Sequence, residues 1–156
     1  MKLSNNLTLS EVIKSNTADR LGIDNTPCDC ALDNLKYLAE EIFQPLRDFA
    51  GSPIYINSGY RSQLLNKAIG GSKTSHHMKG MALDIDNDGK NDDFVNVDIF
   101  NYIKDYLPFT QLIWEFGDDE SPAWVHVAIE RGRGKEKQIL KAVKENGITK
   151  YRVMSF

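Results

Sequence analysis

The chain has 156 residues, of which 41% are hydrophobic and 26% charged, and its formal net charge is −3. A chain of this length can bury enough surface to form its own core, so we predict a single domain spanning residues 1–156. The slight negative charge argues against a nucleic-acid-binding protein, because such binding needs a dominant basic surface. We also predict no membrane insertion, because no stretch is apolar enough to span a bilayer.

The cysteines and the N-terminus indicate where the protein is made. Cys28 and Cys30 are separated by one residue, which is too close for an ordinary structural disulfide, so we predict free thiols. Free thiols favour synthesis in a reducing compartment. Residues 1–6 lack the apolar core of a secretory signal, so we expect synthesis in the cytoplasm without a signal peptide.

The N-terminal third of the sequence predicts helices. Thr8 and Glu11 have the spacing of a capping box, which predicts a short helix that ends before Gly22. Thr26-Pro27 predicts the start of the main helix, which carries an apolar stripe at three- and four-residue steps. Pro45 predicts a bend in this helix. The stripe consists of Leu32, Leu35, Leu38, Ile42, Leu46 and Phe49.

The rest of the chain alternates between short strands and helices. The predicted strands are 54–57, 81–86, 111–116 and 124–129, and the predicted helices begin at Ser62 and Phe94. The short connection 117–122 predicts antiparallel pairing of the last two strands. The tail, which includes Ile139 and Tyr151, fits either a helix or an edge strand. Together the elements predict an α+β fold, with helices packed on one face of a small, mostly antiparallel sheet.

Strand alternation brings polar side chains to one face of this sheet. Asp84, Glu115 and His126 lie on three different strands, each on the face that we expect to border a cleft. An imidazole and two carboxylates are costly to bury unless they bind a metal or one another. His77, from the loop before Asp84, completes a set of two nitrogen ligands and one oxygen ligand, as in catalytic zinc sites.

The sequence contains two other patterns that could bind a metal. An all-histidine site would need His76, His77 and His126, the only histidines of the chain, but Asp84 makes it unnecessary. The segment 84–92 also imitates the start of a calcium loop, with oxygen donors at alternate positions and glycine sixth. Its twelfth position is Val95 rather than glutamate, which favours a solvated acidic turn.

The segment from Ser75 to Asp84 resembles the S-x-H-x-x-G-x-A-x-D signature of the zinc D-Ala-D-Ala carboxypeptidase and L-alanyl-D-glutamate endopeptidase family. Residues 58–62 (SGYRS) and 124–127 (WVHV) accompany it in the order and spacing of the family. The wider sequence, from 9–11 to 111–115, resembles the compact phage and prophage branch. The resemblance implies a hedgehog/DD-peptidase-like fold with one zinc ion per chain.

By this resemblance, the zinc ligands are His77, Asp84 and His126, and the metal would polarise the scissile carbonyl and acidify its bound water. Arg61 matches the family arginine that steadies the substrate carboxylate or the developing oxyanion; the alternative for Arg61 is a surface salt bridge. Many family members carry the general base three residues before the last histidine, where this chain has Ala123.

Glu115 is the predicted general base, because strand alternation places it on the cleft face. Asp118, Asp119 and Glu120 in the adjoining loop are the alternatives. Ser75 and Trp124 are the remaining predicted residues of the substrate site. We expect Ser75 to support the metal site through hydrogen bonds rather than to act as a nucleophile. Trp124 is either a core residue or a substrate platform.

The leading hypothesis is a zinc metallopeptidase that hydrolyses peptide bonds in bacterial peptidoglycan stem peptides, of the carboxypeptidase or endopeptidase type. The alternative is a zinc-containing binding module of the same fold without turnover, which Ala123 supports. We expect a monomer that reaches the cell wall after release during phage or prophage lysis. A basic cluster is interpreted as a solvated loop rather than as a contact for anionic wall polymer. It consists of Arg131, Arg133, Lys135 and Lys137.

Overall fold

A computed structural model describes residues 1–132 and 137–156. Two members of the predicted basic cluster, Arg133 and Lys135, lie outside the described residues. The other two contact aromatic rings: the guanidinium of Arg131 lies 5.5 Å from the ring of Tyr37, and Lys137 Nζ lies 5.0 Å from that of Phe109.

The N-terminal segment forms a small sheet followed by two short helices. Strands β1 (Lys2–Ser4) and β2 (Leu7–Thr8) pair antiparallel. The predicted capping box is present, with the Thr8 amide donating to Glu11 Oε2 at 2.8 Å. It starts α1 (Leu9–Ile13), and α2 (Asn16–Leu21) follows. The prediction of a single helix is therefore wrong. The backbone is extended at Lys14, and this residue separates two short helices.

The main helix is continuous but not α-helical throughout. It consists of α3 (Asp29–Leu38), a π-helical segment (Ala39–Phe43) and α4 (Gln44–Ala50). The π-helical segment ends two residues before Pro45, which lacks the amide that would continue the α-helical hydrogen bonds. The bend at Pro45 stays a prediction.

Two predictions about the main helix are wrong in detail. Its N-cap is Cys28 rather than Thr26, so the helix starts later than predicted. Phe49, a member of the predicted core stripe, is 60% exposed and stacks on Tyr102 at 3.9 Å between ring centroids.

Cys28 and Cys30 are free and exposed, which confirms the predicted thiols.

Six strands form the principal sheet in the order β3-β4-β6-β5-β7-β8. The pairing is antiparallel except between β5 and β7, which confirms a mostly antiparallel α+β fold. The strands are β3 (Ile56–Ser58), β4 (Ala82–Ile85), β5 (Gln111–Glu115), β6 (Trp124–Ala128), β7 (Gln138–Glu145) and β8 (Ile148–Val153). The tail therefore forms a hairpin, with positive φ angles at Asn146 and Gly147 in its turn.

Three shorter helical elements complete the fold: α5 (Gln63–Ala68), a 3₁₀ helix (His76–Lys79) and α6 (Asn96–Tyr106).

The two faces of the principal sheet have different environments. One sheet face packs into the hydrophobic core with the main helix and α6. It contributes Leu83, Ile85, Leu112, Trp114, Val125 and Val127. The opposite face carries the polar residues of the predicted site.

In the part of the chain that the structure describes, no helix has the length and apolar character needed to cross a membrane.

Candidate metal centre

The polar face of the sheet forms the floor of an open cleft of about 810 Å³. Strand pairing arranges the floor in two rows that cross the sheet. One row aligns Asp84, His126, Ile113 and Leu140. The next row aligns Trp124, Glu115, Ala142 and Tyr151. The predicted placement of Asp84, Glu115 and His126 on one face is therefore confirmed.

Asp84 lies between the two histidines of the predicted metal site. His126 Nδ1 donates to Asp84 Oδ1 at 2.9 Å, and His77 Nε2 lies 3.2 Å from Asp84 Oδ2. The three side chains offer donor atoms that all lie within 4.8 Å of one another. Among residues 1–132 and 137–156, this is the only cluster of three or more potential metal ligands of this kind.

His77 is held in one orientation by the backbone of a neighbouring segment. Its side chain is 2% exposed, and Nδ1 donates to the carbonyl of Gly59 at 2.6 Å. This bond occupies Nδ1 and leaves Nε2, which faces Asp84, as the nitrogen that a metal could bind. Ser75 Oγ accepts from the amide of His77 at 3.2 Å and so fixes the start of the 3₁₀ helix.

The Gly59 carbonyl is itself fixed by packing against α1. A Cβ atom on Gly59 would lie 2.4 Å from the carbonyl oxygen of Val12, so only glycine fits this close approach. The next amide, that of Tyr60, donates to the same Val12 carbonyl at 2.7 Å. Asn25, which is buried, donates to the carbonyls of Ile13 and Tyr60 at 2.7 and 3.1 Å. The N-terminal helices thus position a ligand that lies far away in sequence.

The electrostatics of the cluster favour a negative charge on Asp84. Burial alone would raise the pKa of the Asp84 carboxyl, but the attraction of His77 and hydrogen bonds from both histidines hold that pKa well below its usual range. An ionised carboxylate flanked by two imidazoles is a suitable donor set for a divalent cation.

The cluster also fits zinc in size. Two ligands bound tetrahedrally to one zinc ion lie about 3.4 Å apart, given bond lengths of about 2.1 Å. The 2.9 and 3.2 Å separations at Asp84 are close to this spacing. His126 Nδ1, which faces Asp84, is the ring nitrogen placed to bind such an ion, whereas the buried Nε2 has no hydrogen-bond partner in the described residues.

Glu115 is the carboxylate of the cleft that is suited to proton transfer. It is 7% exposed, and burial raises its pKa to about 7, with His126 opposing and Asp84 assisting the shift. A carboxylate with a pKa near neutrality is matched to general acid–base work. Of the alternatives, Asp118 Oδ1 accepts the amides of Glu120 and Ser121, and Asp119 pairs with Lys141 at 2.7 Å.

Arg61 lies in the cleft near the metal ligands. Its backbone amide donates to the carbonyl of His77 at 3.1 Å, and its Nη2 lies 3.4 Å from Ser75 Oγ. Burial lowers the pKa of the guanidinium, and the negative charge of Asp84 opposes this shift. No carboxylate forms an ion pair with Arg61 among the described residues, and its buried Nε has no partner there. The predicted alternative of a surface salt bridge is therefore not found in the described chain.

The remaining predicted site residues occupy the cleft wall. Trp124 is half-buried, with its ring 5.4 Å from that of Phe116, and it borders the cleft. Ser75 contacts Arg61 and the His77 backbone, as the supporting role predicts. His76 Nε2 lies 2.8 Å from Glu130 Oε1, which takes this histidine away from the metal cluster.

The acidic segment after β4 is a hydrogen-bonded turn. Asn87 is fully buried, and its Oδ1 accepts from the Tyr55 amide at 2.9 Å. Asn96 donates from Nδ2 to Asp86 Oδ1 and from its backbone amide to Asp88 Oδ1, both at 2.9 Å. The side-chain oxygens of Asp86, Asn87 and Asp88 thus accept hydrogen bonds from the protein itself. This is expected for the predicted turn rather than for a calcium loop.

Sequence reasoning missed the cleft residues of the C-terminal hairpin. Lys144, Thr149 and Tyr151 border the cleft. The signal that could have found them is Asn146-Gly147, a dipeptide typical of two-residue hairpin turns.

An α+β fold with two imidazoles, one ionised carboxylate and a second carboxylate of near-neutral pKa in an open cleft defines a candidate metallohydrolase centre. The sequence model of the family Peptidase M15 matches residues 5–128, and the chain belongs to this family. The match includes every predicted catalytic residue and metal ligand but not the β7–β8 hairpin. No curated protein matches the chain.

Proposed function

We propose that the protein is a zinc metallopeptidase that hydrolyses peptide bonds in bacterial peptidoglycan stem peptides. The observation that carries the proposal is the convergence of His77, Asp84 and His126 on a cleft that also contains Glu115. Membership of the Peptidase M15 family supports peptidase chemistry.

Each residue of the centre has a role that follows from its surroundings. His77 Nε2, the Asp84 carboxylate and His126 Nδ1 would hold zinc, and His126 Nδ1 would then lose the proton that it donates to Asp84 in the metal-free protein. When bound, zinc would supply Lewis acidity towards the scissile carbonyl and towards water. Glu115 would accept a proton from the attacking water and return it to the leaving amine, since its pKa is near neutrality. Arg61 would pair with a substrate carboxylate or with the negative charge that develops on the carbonyl oxygen.

The finer assignments are also proposals. The sequence resemblance supports a D-Ala-D-Ala carboxypeptidase or an L-Ala-D-Glu endopeptidase, and the compact phage and prophage branch. In that setting the protein would be made in the cytoplasm and would act, as a monomer, on the cell wall after release during lysis.

A second candidate function is a zinc-containing binding module without turnover. Ala123 occupies the position of the general base in many relatives of the resembled family, and this absence favours the module. Against it, the Ala123 amide donates to the Glu115 carbonyl at 2.9 Å. The backbone of Glu115 therefore lies beside that of Ala123, and the Glu115 side chain supplies a carboxylate to the cleft from the neighbouring strand.

The proposal is tested by mass spectrometry of purified peptidoglycan after incubation with zinc-loaded protein. The control is the His77→Ala variant, which removes one ligand. New stem-peptide termini that appear only with the wild type would support hydrolysis and identify the bond. If several wall chemistries yield no new termini while one zinc is bound per chain, the binding module is favoured.

A further inference from the structure

The β7–β8 hairpin builds part of the cleft wall. In the antiparallel pairing of β7 and β8, Lys144 lies opposite Thr149, and Ala142 lies opposite Tyr151. Since side chains alternate along a strand, Lys144, Thr149 and Tyr151 share the face that borders the cleft. An ammonium, a hydroxyl and a phenol thus lie side by side.

These three donors are exposed to solvent, and none has a side-chain partner in the part of the chain that the structure describes. No side-chain hydrogen bond or ion pair engages Lys144, Thr149 or Tyr151 within residues 1–132 and 137–156. The carboxylate of Glu145, the nearest along the strand, lies on the opposite face. There it pairs with Lys150 at 3.1 Å and with Arg152. No acidic side chain of the hairpin therefore neutralises Lys144.

Tyr151 links this donor group to the centre of the cleft. Ala142 pairs with Glu115 on one side and with Tyr151 on the other. The backbones of Glu115 and Tyr151 are therefore two strands apart, about 10 Å. Ala142 is fully buried and has only a methyl group, so the two longer side chains face each other across it. Tyr151 is 55% exposed, and its phenol is protonated at neutral pH and can donate a hydrogen bond; desolvation, Glu115 and Asp84 raise its pKa further.

The charges of the cleft differ from those of the whole chain. The chain carries a formal charge of −3. The cleft contains two carboxylates, Asp84 and Glu115, and two cations, Arg61 and Lys144. With a divalent cation at the metal centre, the cleft becomes positive within an acidic protein. Such a field favours an anionic ligand.

We propose that Lys144, Thr149 and Tyr151 form a carboxylate-binding subsite that selects peptides with a free carboxylate near the cleaved bond. This inference deepens the proposed function and rests on it for the identity of the peptide. Arg61 and Lys144 then contact two different parts of one acidic substrate. The three residues lie in the β7–β8 hairpin, outside residues 5–128 that match the Peptidase M15 family.

The test compares three forms of one synthetic stem peptide: the free acid, the form with its glutamate carboxylate amidated, and the form with its C-terminus amidated. We expect one of the two amides to lower kcat/KM of the wild type by roughly fivefold, as for a solvent-exposed ion pair. Lys144→Met should abolish this preference. Lys150→Met, which removes the same charge from the opposite face of the hairpin, should retain it. Tyr151→Phe should raise KM for the free acid while kcat changes little.

Binding measured by calorimetry separates this inference from the proposed function. The Glu115→Gln protein, zinc-loaded so that peptide is bound but not consumed, should bind the free acid roughly fivefold more tightly than the discriminating amide. Preferential binding without hydrolysis by the wild type would contradict the peptidase and keep the subsite. Equal affinity for all three forms, no binding, or a preference that survives Lys144→Met would overturn the subsite.

Discussion

Asp84 determines whether the centre can hold a metal. Its two oxygens contact one ring nitrogen each of His77 and His126, so a single carboxylate orients both imidazoles. The low pKa of Asp84 keeps this carboxylate ionised. Loss of its charge would leave the cluster with two neutral imidazoles and no anionic ligand, which weakens its attraction for a divalent cation.

Asp84→Asn should therefore weaken zinc binding at least about 100-fold while the fold is retained, since the amide occupies the same volume. Calorimetric titration with zinc measures the change. Asp92→Asn, which removes one charge from the exposed acidic turn, is the matched control and should bind zinc like the wild type. Unchanged affinity in Asp84→Asn would contradict the assigned ligand set.

As the proposed general base, Glu115 should make the activity depend on pH. A base must be deprotonated, and the metal-free pKa is about 7. Zinc in the neighbouring site would lower this pKa, so kcat/KM should rise to a plateau through a midpoint at or below pH 7. Glu115→Gln should reduce kcat by about 10²–10⁴-fold and leave the zinc content unchanged. Rates of hydrolysis and metal analysis check both statements. A wild-type kcat in the Glu115→Gln variant would exclude Glu115 as the base.

The same pKa affects stability in the metal-free protein. The folded-state pKa of Glu115, about 7, lies above its ordinary value of 4.5, so the folded state binds the proton more tightly than the unfolded state. Stability from this group is present below pH 4.5 and is lost as pH rises towards and through 7. Glu115→Gln should remove this loss and be more stable than the wild type at pH 8 by up to about 3 kcal/mol. Urea unfolding of both proteins at pH 4.5 and pH 8 measures the difference.

The site residues named by the sequence motif are those that the cleft brings together. His77, Asp84 and His126 were predictable because strand period and motif spacing are local properties of the sequence. The support from Asn25 and the Val12 carbonyl was not, because it depends on which helix packs against residues 58–62. That Tyr151 lies opposite Glu115 depends on the parallel β5–β7 pairing, which strand patterns do not encode.

At the scale of elements, the N-terminal helices act as a support for the metal centre. α1 contacts the segment that follows β3, and the Gly59 carbonyl in that segment orients His77. The spacing of apolar residues predicts that these helices exist. It does not predict the π-helical segment or the break between α1 and α2, since both result from local backbone changes within otherwise helical patterns.

Gly59→Ala tests this support. Its Cβ would clash with the Val12 carbonyl, so we expect a destabilisation of about 1–3 kcal/mol together with weaker zinc binding. Gly89→Ala is the control: a Cβ there meets nothing within 4 Å, but the residue has a φ of +72°, so it should cost about 1–2 kcal/mol and leave zinc affinity unchanged. Thermal unfolding and zinc titration of both variants distinguish the effects. Normal zinc affinity in a folded Gly59→Ala protein would contradict the role of the Gly59 carbonyl.

At the scale of the whole molecule, one sheet separates structure from chemistry. Its apolar face packs on the main helix and α6, and its other face carries the metal ligands, Glu115 and the hairpin donors. The α+β class and this two-faced sheet follow from strand alternation. The hairpin could have been found from Asn146-Gly147, whereas its place beside β5 is a tertiary property.

The central claim is that one zinc ion, held by His77, Asp84 and His126, makes this protein a peptidase. The most direct test is to remove metal with a chelator and to measure hydrolysis of a stem peptide as zinc is added back. We predict no hydrolysis by the metal-free protein and a linear increase that reaches a plateau at one zinc per chain. Hydrolysis without metal, or a zinc-loaded protein that cleaves no stem peptide, would contradict the claim.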